Sequence, residues 1–185
     1  MTSQTAAQQA ERIGDRHACL LYRDEQAQLR ATAQFLATGL AMGYRGICLL
    51  DGRTTAEIAD ALADVGVDAS RKVAHGALRI APARGSYVPG ETFDGAAMIA
   101  LVQRWEAEAR ADGYAGLAAT ADMSWALGGD LDALLAYEER LNRTAFCSDR
   151  LAGLCQYDER RFAGPHLAPI IDAHRVEREG SAAAE

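Results

Sequence analysis

The chain has 185 residues, of which 49% are hydrophobic and 24% are charged, and its formal net charge is −7. This balance is typical of one globular domain and argues against a disordered chain. The acidic excess argues against a nucleic-acid partner, and the apolar runs are too short for a transmembrane helix. Because the N-terminal segment also lacks the apolar stretch of a secretion signal, we expect a cytoplasmic protein with no membrane partner.

The composition changes only near the two ends of the chain. We expect a flexible polar tail over 1–13, one domain over 14–176 and a disordered tail over 177–185. Three of the four cysteines fall within apolar runs. Such cysteines behave as small hydrophobic residues, so we expect buried thiols and no disulfide framework.

Short apolar runs and amphipathic segments alternate along the chain. The apolar runs predict strands over 17–22, 46–50, 77–82, 116–123 and 151–157. The amphipathic segments predict a helix from Asp24 to Gly43, one from the Thr54–Glu57 capping box to Gly66, and others over 93–112, 131–145 and 164–176. This alternation predicts an α/β fold of three layers, with a mostly parallel sheet of five or slightly more strands and helices on both faces.

The turn after the first predicted strand contains none of the chemistry of a phosphate-binding loop. Such a loop reads GxxxxGK[ST], whereas this position holds YRDEQAQ, and Lys72 is the only lysine in the chain. The GxGxxG of dinucleotide-binding proteins and the GxSxG of serine hydrolases are also missing. We therefore predict no cofactor and no enzyme activity, although a thiol- or metal-dependent enzyme remains an alternative.

The predicted helix over 131–145 carries polar residues on its apolar side. Glu138 lies four residues after Leu134 and three before Leu141, and Asn142 lies four after Glu138. An unpaired carboxylate in such a position would cost about 2 kcal/mol or more. Glu138 therefore either pairs with backbone groups or an arginine of a neighbouring helix, or forms the polar end of a ligand pocket.

The strands contribute further candidates, because parallel strands bring their carboxyl ends to one edge of the sheet. Alternation places His17 on the same face as Cys19 and Tyr22 on the other. Asp122 and Trp125 lie at the end of the fourth strand. Ending the fifth strand are Cys155, which we expect in the core, and Tyr157 and Asp158, which we expect at the rim. His17, Cys19, Cys155 and Asp122 suit zinc or iron, but without CxxC or HxxxH spacing we predict no metal site.

Several segments together resemble a known family. They are HxCxxY from His17, FLATGLAMGYRGICLL at 35–50, ADMSWAL at 121–127, YEERLNR at 137–143 and CQYDERRF at 155–162. Over 17–162 the chain resembles the MEDS domain, the methanogen/methylotroph DcmR sensory domain. The resemblance implies a RecA/KaiC-like fold that has lost its phosphate loop. It also implies a sensory module for hydrocarbon derivatives, of the kind found beside histidine kinases, anti-sigma regulators and helix-turn-helix segments.

The resulting hypothesis is a stand-alone sensory domain of a bacterial signalling or transcription-regulating system. It binds a small, largely apolar organic molecule at the strand ends, under the loop over 82–91, and reports to a separate protein such as a histidine kinase or an anti-sigma regulator. The candidate ligand-binding residues are His17, Tyr22, Asp122, Trp125, Glu138, Asn142, Cys155 and Tyr157. Asp122 departs from the glutamate that the family often has, which shortens its reach by one methylene. The alternative is a ligand-free interaction module, and a homodimer stays open.

Overall fold

The structure is a computed structural model that describes residues 16–83, 93–128, 130–147, 149–162 and 167–181. The strands are β1 (His17–Tyr22), β2 (Arg45–Leu50), β3 (Leu78–Pro82), β4 (Leu117–Asp122) and β5 (Leu151–Asp158). The helices are α1 (Glu25–Ala41), α2 (Thr55–Asp64), α3 (Ala69–Ala74), α4 (Gly95–Ala111), α5 (Leu131–Thr144) and α6 (Leu167–Ser181). The predicted tail over 1–13 and most of the loop over 82–91 lie outside the described residues.

The five strands form one parallel sheet in the order β1-β5-β4-β2-β3. One apolar layer joins a face of the sheet to α1, α2 and α3, through residues such as Leu36 and Leu62. The other layer joins the opposite face to α4, α5 and α6, through residues such as Met98, Leu134 and Ile170. The predicted three-layer α/β fold with helices on both faces is confirmed.

The two-sided cover explains why the strands read as continuous apolar runs. All eight positions of β5 are buried, whichever face they point to. A strand of this kind can hold polar side chains only if other buried groups satisfy them. Consecutive residues of β5 therefore point into the two different apolar layers, one on each face of the sheet.

Three local features differ from the sequence predictions. The stretch that contains Lys72 forms α3, a helix that the sequence analysis does not predict and that Asp68 caps by accepting from the Arg71 amide at 2.9 Å. The predicted fourth strand over 116–123 ends at Asp122, and a 3-10 turn over Met123–Gly128 follows it. Helix α6 continues to Ser181, so the tail predicted over 177–185 is helical as far as 181, and 182–185 lie outside the described residues. Glutamate and arginine are good helix formers, which favours this extension.

Membrane-spanning helices and disulfide bonds are two features that the sequence analysis does not predict. Among the helices that the structure describes, none is long and apolar enough to cross a membrane. All four cysteines are described and all have free thiols, with Cys19, Cys48 and Cys155 buried and Cys147 exposed.

The capping box at the start of α2 gives a test of the local structure. The Thr54 hydroxyl accepts from the Glu57 amide at 3.2 Å, and the Glu57 carboxylate accepts from the Thr54 amide at 2.7 Å. We expect Thr54→Ala to lower the free energy of unfolding by about 1 kcal/mol, as measured by urea denaturation. Thr55→Ala, at the next and equally exposed position, is the matched control and should change it by less than about 0.5 kcal/mol. Equal effects of the two substitutions would contradict the cap.

Candidate functional site

A group of polar side chains is enclosed between the sheet and the helices α5 and α6. We call it the buried polar cluster, and it consists of His17 on β1, Glu138 and Asn142 on α5, Cys155 and Tyr157 on β5, and His174 on α6. Both Glu138 and Tyr157 are 0% exposed. Four elements that are far apart along the chain thus meet at one point inside the α4–α6 layer.

The Glu138 carboxylate lies at the centre of this cluster. Its Oε1 accepts a short hydrogen bond from the Tyr157 hydroxyl. Its Oε2 lies 3.3 Å from His17 Nε2 and 3.7 Å from His174 Nε2. The Cys155 thiol sulfur is 3.8 Å from the same oxygen and 3.2 Å from His17 Nε2. The carboxylate therefore has partners on three neighbouring elements.

A second set of hydrogen bonds fixes the two imidazole rings. His17 Nδ1 forms a short hydrogen bond with Asn142 Oδ1, and the Asn142 amide donates to the Ala173 carbonyl at 2.6 Å. His174 Nδ1 lies 2.7 Å from the Ile170 carbonyl oxygen. Because each Nδ1 faces an oxygen acceptor, each ring turns its Nε2 toward the cluster.

Aromatic rings close the cluster from its apolar side. The Phe146 ring stacks on His17, with ring centroids 4.4 Å apart and planes 9° apart. Phe162 meets Tyr157 edge to face at 5.1 Å. Gly153 leaves room for the Phe146 ring, because a Cβ at this position would come within 2.3 Å of it. The missing side chain at Gly153 thus allows the ring to lie against His17.

Burial and neighbouring charges act in opposite directions on these groups. Burial alone raises the pKa of Glu138, but the hydrogen bond from His17, the charges of His174 and His17 and the Tyr157 hydroxyl outweigh it and lower the pKa to about 2. Burial, followed by the charge of Glu138, raises the pKa of both Cys155 and Tyr157. Glu138 is therefore ionised in the core, whereas Tyr157 stays a protonated donor.

Other predicted residues lie on the opposite face of the sheet, in what we call the rim network. The Tyr22 hydroxyl donates to Asp122 at 2.8 Å, and the Gln28 amide donates to Asp122 at 3.2 Å and to Gln156 at 2.8 Å. Gln156 also donates to the Thr120 hydroxyl at 2.5 Å. Burial raises the pKa of Asp122, and burial followed by the charge of Asp122 raises that of Tyr22. The network closes the carboxyl ends of β1, β5 and β4 beneath α1.

Trp125 belongs to neither group. It lies in the 3-10 turn, 5.0 Å from the ring of Phe93, which meets Tyr137 at 5.4 Å. The eight predicted residues therefore separate into five in the buried polar cluster, two in the rim network and one in this aromatic group. A single pocket that all eight line is not what the structure shows.

Two expectations about individual side chains are wrong. Tyr157 was expected at the rim, but alternation along β5 turns it to the same interior as Cys155, where it is fully buried. Glu138 was expected to pair with backbone groups or an arginine if it had no ligand, whereas its partners are histidine, tyrosine and thiol groups. Asp158, which was also expected at the rim, is 4% exposed and pairs with Arg160 at 2.7 Å.

Sequence reasoning missed His174 in the cluster and Gln28, Thr120 and Gln156 in the rim network. The signal for His174 was available, because it lies four residues after Ile170 and seven after Leu167 on the apolar stripe of α6. Gln28 likewise lies one turn before Thr32 on the buried side of α1. A polar residue inside an apolar stripe thus indicates a buried network at three helices of this chain.

The structure also has an open groove of about 500 Å³ at the other edge of the sheet. It is lined by the end of α1 and by the turns around α3, including Arg71, Lys72 and His75. This groove lies at the amino ends of the strands, away from the carboxyl ends at which a ligand was expected.

The parallel sheet and its enclosed polar groups define an α/β domain with a buried polar cluster on one face of the sheet. Residues 16–175 match the family model of MEDS, the methanogen/methylotroph, DcmR sensory domain. The match covers most of the chain, which therefore belongs to the MEDS family of sensory domains. A search of curated proteins finds no match to it.

Adjacent glutamates on α5 allow a direct test of the buried charge. Glu138→Ala removes the central carboxylate and leaves the polar groups around it buried without their partner, so the free energy of unfolding should fall by about 3–5 kcal/mol. Glu139→Ala removes an exposed carboxylate that lies 3.7 Å from Arg143, and should change it by less than about 1 kcal/mol. Urea denaturation followed by circular dichroism measures both. A loss below about 1 kcal/mol for Glu138→Ala would contradict the central place of this carboxylate.

Proposed function

We propose that this MEDS domain binds a small, largely apolar molecule at the buried polar cluster and reports its presence to a separate regulator of a bacterial signalling system. The observation that carries the proposal is a fully buried, ionised carboxylate that faces histidine, tyrosine and thiol groups within an otherwise apolar layer. Ligand sites combine apolar walls with a few convergent polar groups, which is the combination found here. We propose no catalytic turnover for the chain.

The surroundings of the cluster favour a ligand of few atoms. Phe146 and Phe162 supply apolar contact area, while the Tyr157 hydroxyl and the Glu138 carboxylate supply a donor and an acceptor. A short alcohol, aldehyde or related hydrocarbon derivative could exchange hydrogen bonds with these two groups and keep its carbon atoms against the rings. The cluster therefore replaces the strand ends, and the loop over 82–91, as our proposed binding place.

Helix α6 provides the route by which binding would reach a partner. It contributes His174 to the cluster, and its Ala173 carbonyl accepts from Asn142. A molecule that binds between α6 and β5 would change these contacts and shift the population of α6 positions. The outer surface of α6, or the groove beside α3, would then present a changed surface to a histidine kinase or an anti-sigma regulator.

A second function is favoured by one specific observation. The polar atoms of the cluster already bind one another, so that the Glu138 carboxylate has partners without any ligand. In a ligand-free interaction module the cluster would serve only to hold α6 against the sheet. Changes in the cluster would then affect signalling only through the stability of the fold.

Removal of one hydroxyl separates the two functions. We expect native mass spectrometry to find a small organic molecule bound, from cell extract or from a panel of one- to six-carbon alcohols, aldehydes and halogenated alkanes. Tyr157→Phe should weaken its binding by about tenfold or more, the effect of losing one buried hydrogen bond. Tyr44→Phe, which removes a hydroxyl that donates to the exposed Asp149 carbonyl at 2.8 Å, should leave binding unchanged.

The same samples report on α6. Ligand should alter amide hydrogen exchange over 167–174 in the unsubstituted protein and in Tyr44→Phe, and less so in Tyr157→Phe at the same concentration. If no species binds and exchange over α6 never changes, the sensory proposal is wrong and the interaction module is favoured.

A further inference from the structure

Four side chains of the buried polar cluster point potential metal ligands at one another. His17 Nε2, a Glu138 carboxylate oxygen, Cys155 Sγ and His174 Nε2 all lie within 4.8 Å of one another, and all four residues are buried. We propose that these four atoms bind one Zn²⁺ ion in tetrahedral coordination. The rest of the site is organised as such an ion requires.

Four of the six separations among these atoms lie near the edges of a tetrahedron around zinc, and the other two are at most 4.8 Å. With bond lengths of about 2.0 Å to nitrogen or oxygen and about 2.3 Å to sulfur, nitrogen–oxygen pairs stand about 3.3 Å apart and pairs with sulfur about 3.6 Å apart. The Glu138 oxygen lies 3.3 Å from His17 Nε2 and 3.7 Å from His174 Nε2. The sulfur lies 3.2 Å from His17 Nε2 and 3.8 Å from the Glu138 oxygen.

These separations fit direct hydrogen bonding less well. Hydrogen bonds between nitrogen and oxygen span about 2.7–3.2 Å, and both histidine–Glu138 distances exceed that range. By contrast, the hydrogen bonds that hold the outer atoms of the same side chains are 2.7 Å or shorter. The two histidines thus stand farther from Glu138 Oε2 than the outer atoms stand from their hydrogen-bond partners, a spacing that suits ligands around a common ion.

The outer hydrogen bonds also set the protonation that a metal site needs. His17 Nδ1 faces Asn142 Oδ1 and His174 Nδ1 faces the Ile170 carbonyl oxygen, so each Nδ1 keeps its proton and each Nε2 can bind a metal once it has released its own proton. The Tyr157 hydroxyl engages the other Glu138 oxygen. Histidine ligands of metals almost always donate their second ring N–H to an oxygen in this way.

Charge favours an ion at the centre of this arrangement. Once the protons that the two imidazoles direct at Glu138 have left, two neutral imidazoles, a carboxylate and a thiol direct lone pairs at one another inside the core. A Zn²⁺ ion, the Glu138 carboxylate and the Cys155 thiolate sum to zero charge, and the protons on the thiol and on the two Nε2 atoms leave for solvent as the ion binds. The mixture of nitrogen, sulfur and oxygen ligands in a tetrahedron is the set that zinc accepts.

The proposed ligands come from β1, α5, β5 and α6, so no short sequence motif contains them. The sequence prediction of no metal rested on the missing CxxC and HxxxH spacings, and it paired His17 and Cys155 with Asp122, which lies on the other face of the sheet. Bound zinc would join α6 to the sheet directly. The proposed zinc site rests on the same side chains as the proposed sensory site. Elemental analysis measures bound zinc whether or not an organic molecule binds, so the two proposals can fail separately.

The test uses the full chain with Cys147→Ser, which removes the exposed thiol that could bind metal adventitiously. After loading with Zn²⁺ and gel filtration, elemental analysis should find one zinc per chain. Loading with Co²⁺ instead should give the intense visible absorption of a tetrahedral ion and a sulfur-to-metal charge-transfer band in the near ultraviolet.

Matched variants assign the ligands. Cys155→Ala should abolish the charge-transfer band and lower zinc affinity at least 100-fold, whereas Cys48→Ala, at an equally buried thiol on the other face, should change neither. Asn142→Ala removes a side chain that orients His17 and binds the Ala173 carbonyl but is not itself a proposed ligand, and it should weaken zinc binding about 10- to 100-fold. Circular dichroism verifies that each variant is folded. The cobalt spectrum is also measured with all four proposed ligands intact, so this part of the test does not depend on whether a ligand variant folds.

Three results would overturn the proposal. They are less than about a tenth of an equivalent of zinc after loading, a cobalt spectrum without sulfur charge transfer, or full zinc retention in both Cys155→Ala and His174→Gln. A zinc-free protein that still binds the organic panel through Tyr157 would refute the metal site and leave the sensory function intact. Zinc binding by a protein that binds no member of the organic panel would support the metal site and contradict the sensory function.

Discussion

The carboxylate of Glu138 is the constraint on which the α4–α6 side of the molecule depends. An ionised group inside an apolar layer must be satisfied by other buried groups, and here they come from β1, β5 and α6. The aromatic rings, the absence of a side chain at Gly153 and the pairing of Asn142 with α6 all follow from this arrangement. The last helix is therefore held to the sheet by polar as well as apolar contacts.

The sheet separates two polar interiors that the sequence places side by side. Successive residues of β5 alternate between them, so that Cys155 and Tyr157 enter the buried polar cluster while Gln156 enters the rim network. The rim network closes the carboxyl ends of β1, β5 and β4, and the turn that follows β1 there lacks the sequence of a phosphate-binding loop. Its members bind one another through neutral amides and hydroxyls around Asp122, which suits a structural closure of that edge.

Much of the fold could be predicted from the sequence, because the spacing of apolar residues and the capping of helices depend only on residues that are close together along the chain. The five strands, the Thr54–Glu57 cap and the inward direction of Glu138 required only neighbouring residues. The composition of the site could not be obtained in this way. His17 and His174 are distant along the chain and meet only because β1 pairs with β5 and α6 folds back over that pair. Tyr22 and Trp125 were grouped with them because all strand ends were expected to form one site, whereas the two faces of the sheet hold separate groups.

The central claim is that Glu138 joins α6 to the sheet as one energetic unit. A double-mutant cycle with Glu138→Gln and His174→Gln measures this most directly, with unfolding free energies taken for both single variants and the double variant. We expect a coupling energy of about 1–3 kcal/mol, as for residues that share one buried network. Effects that add to within about 0.3 kcal/mol, as for distant independent sites, would contradict the claim.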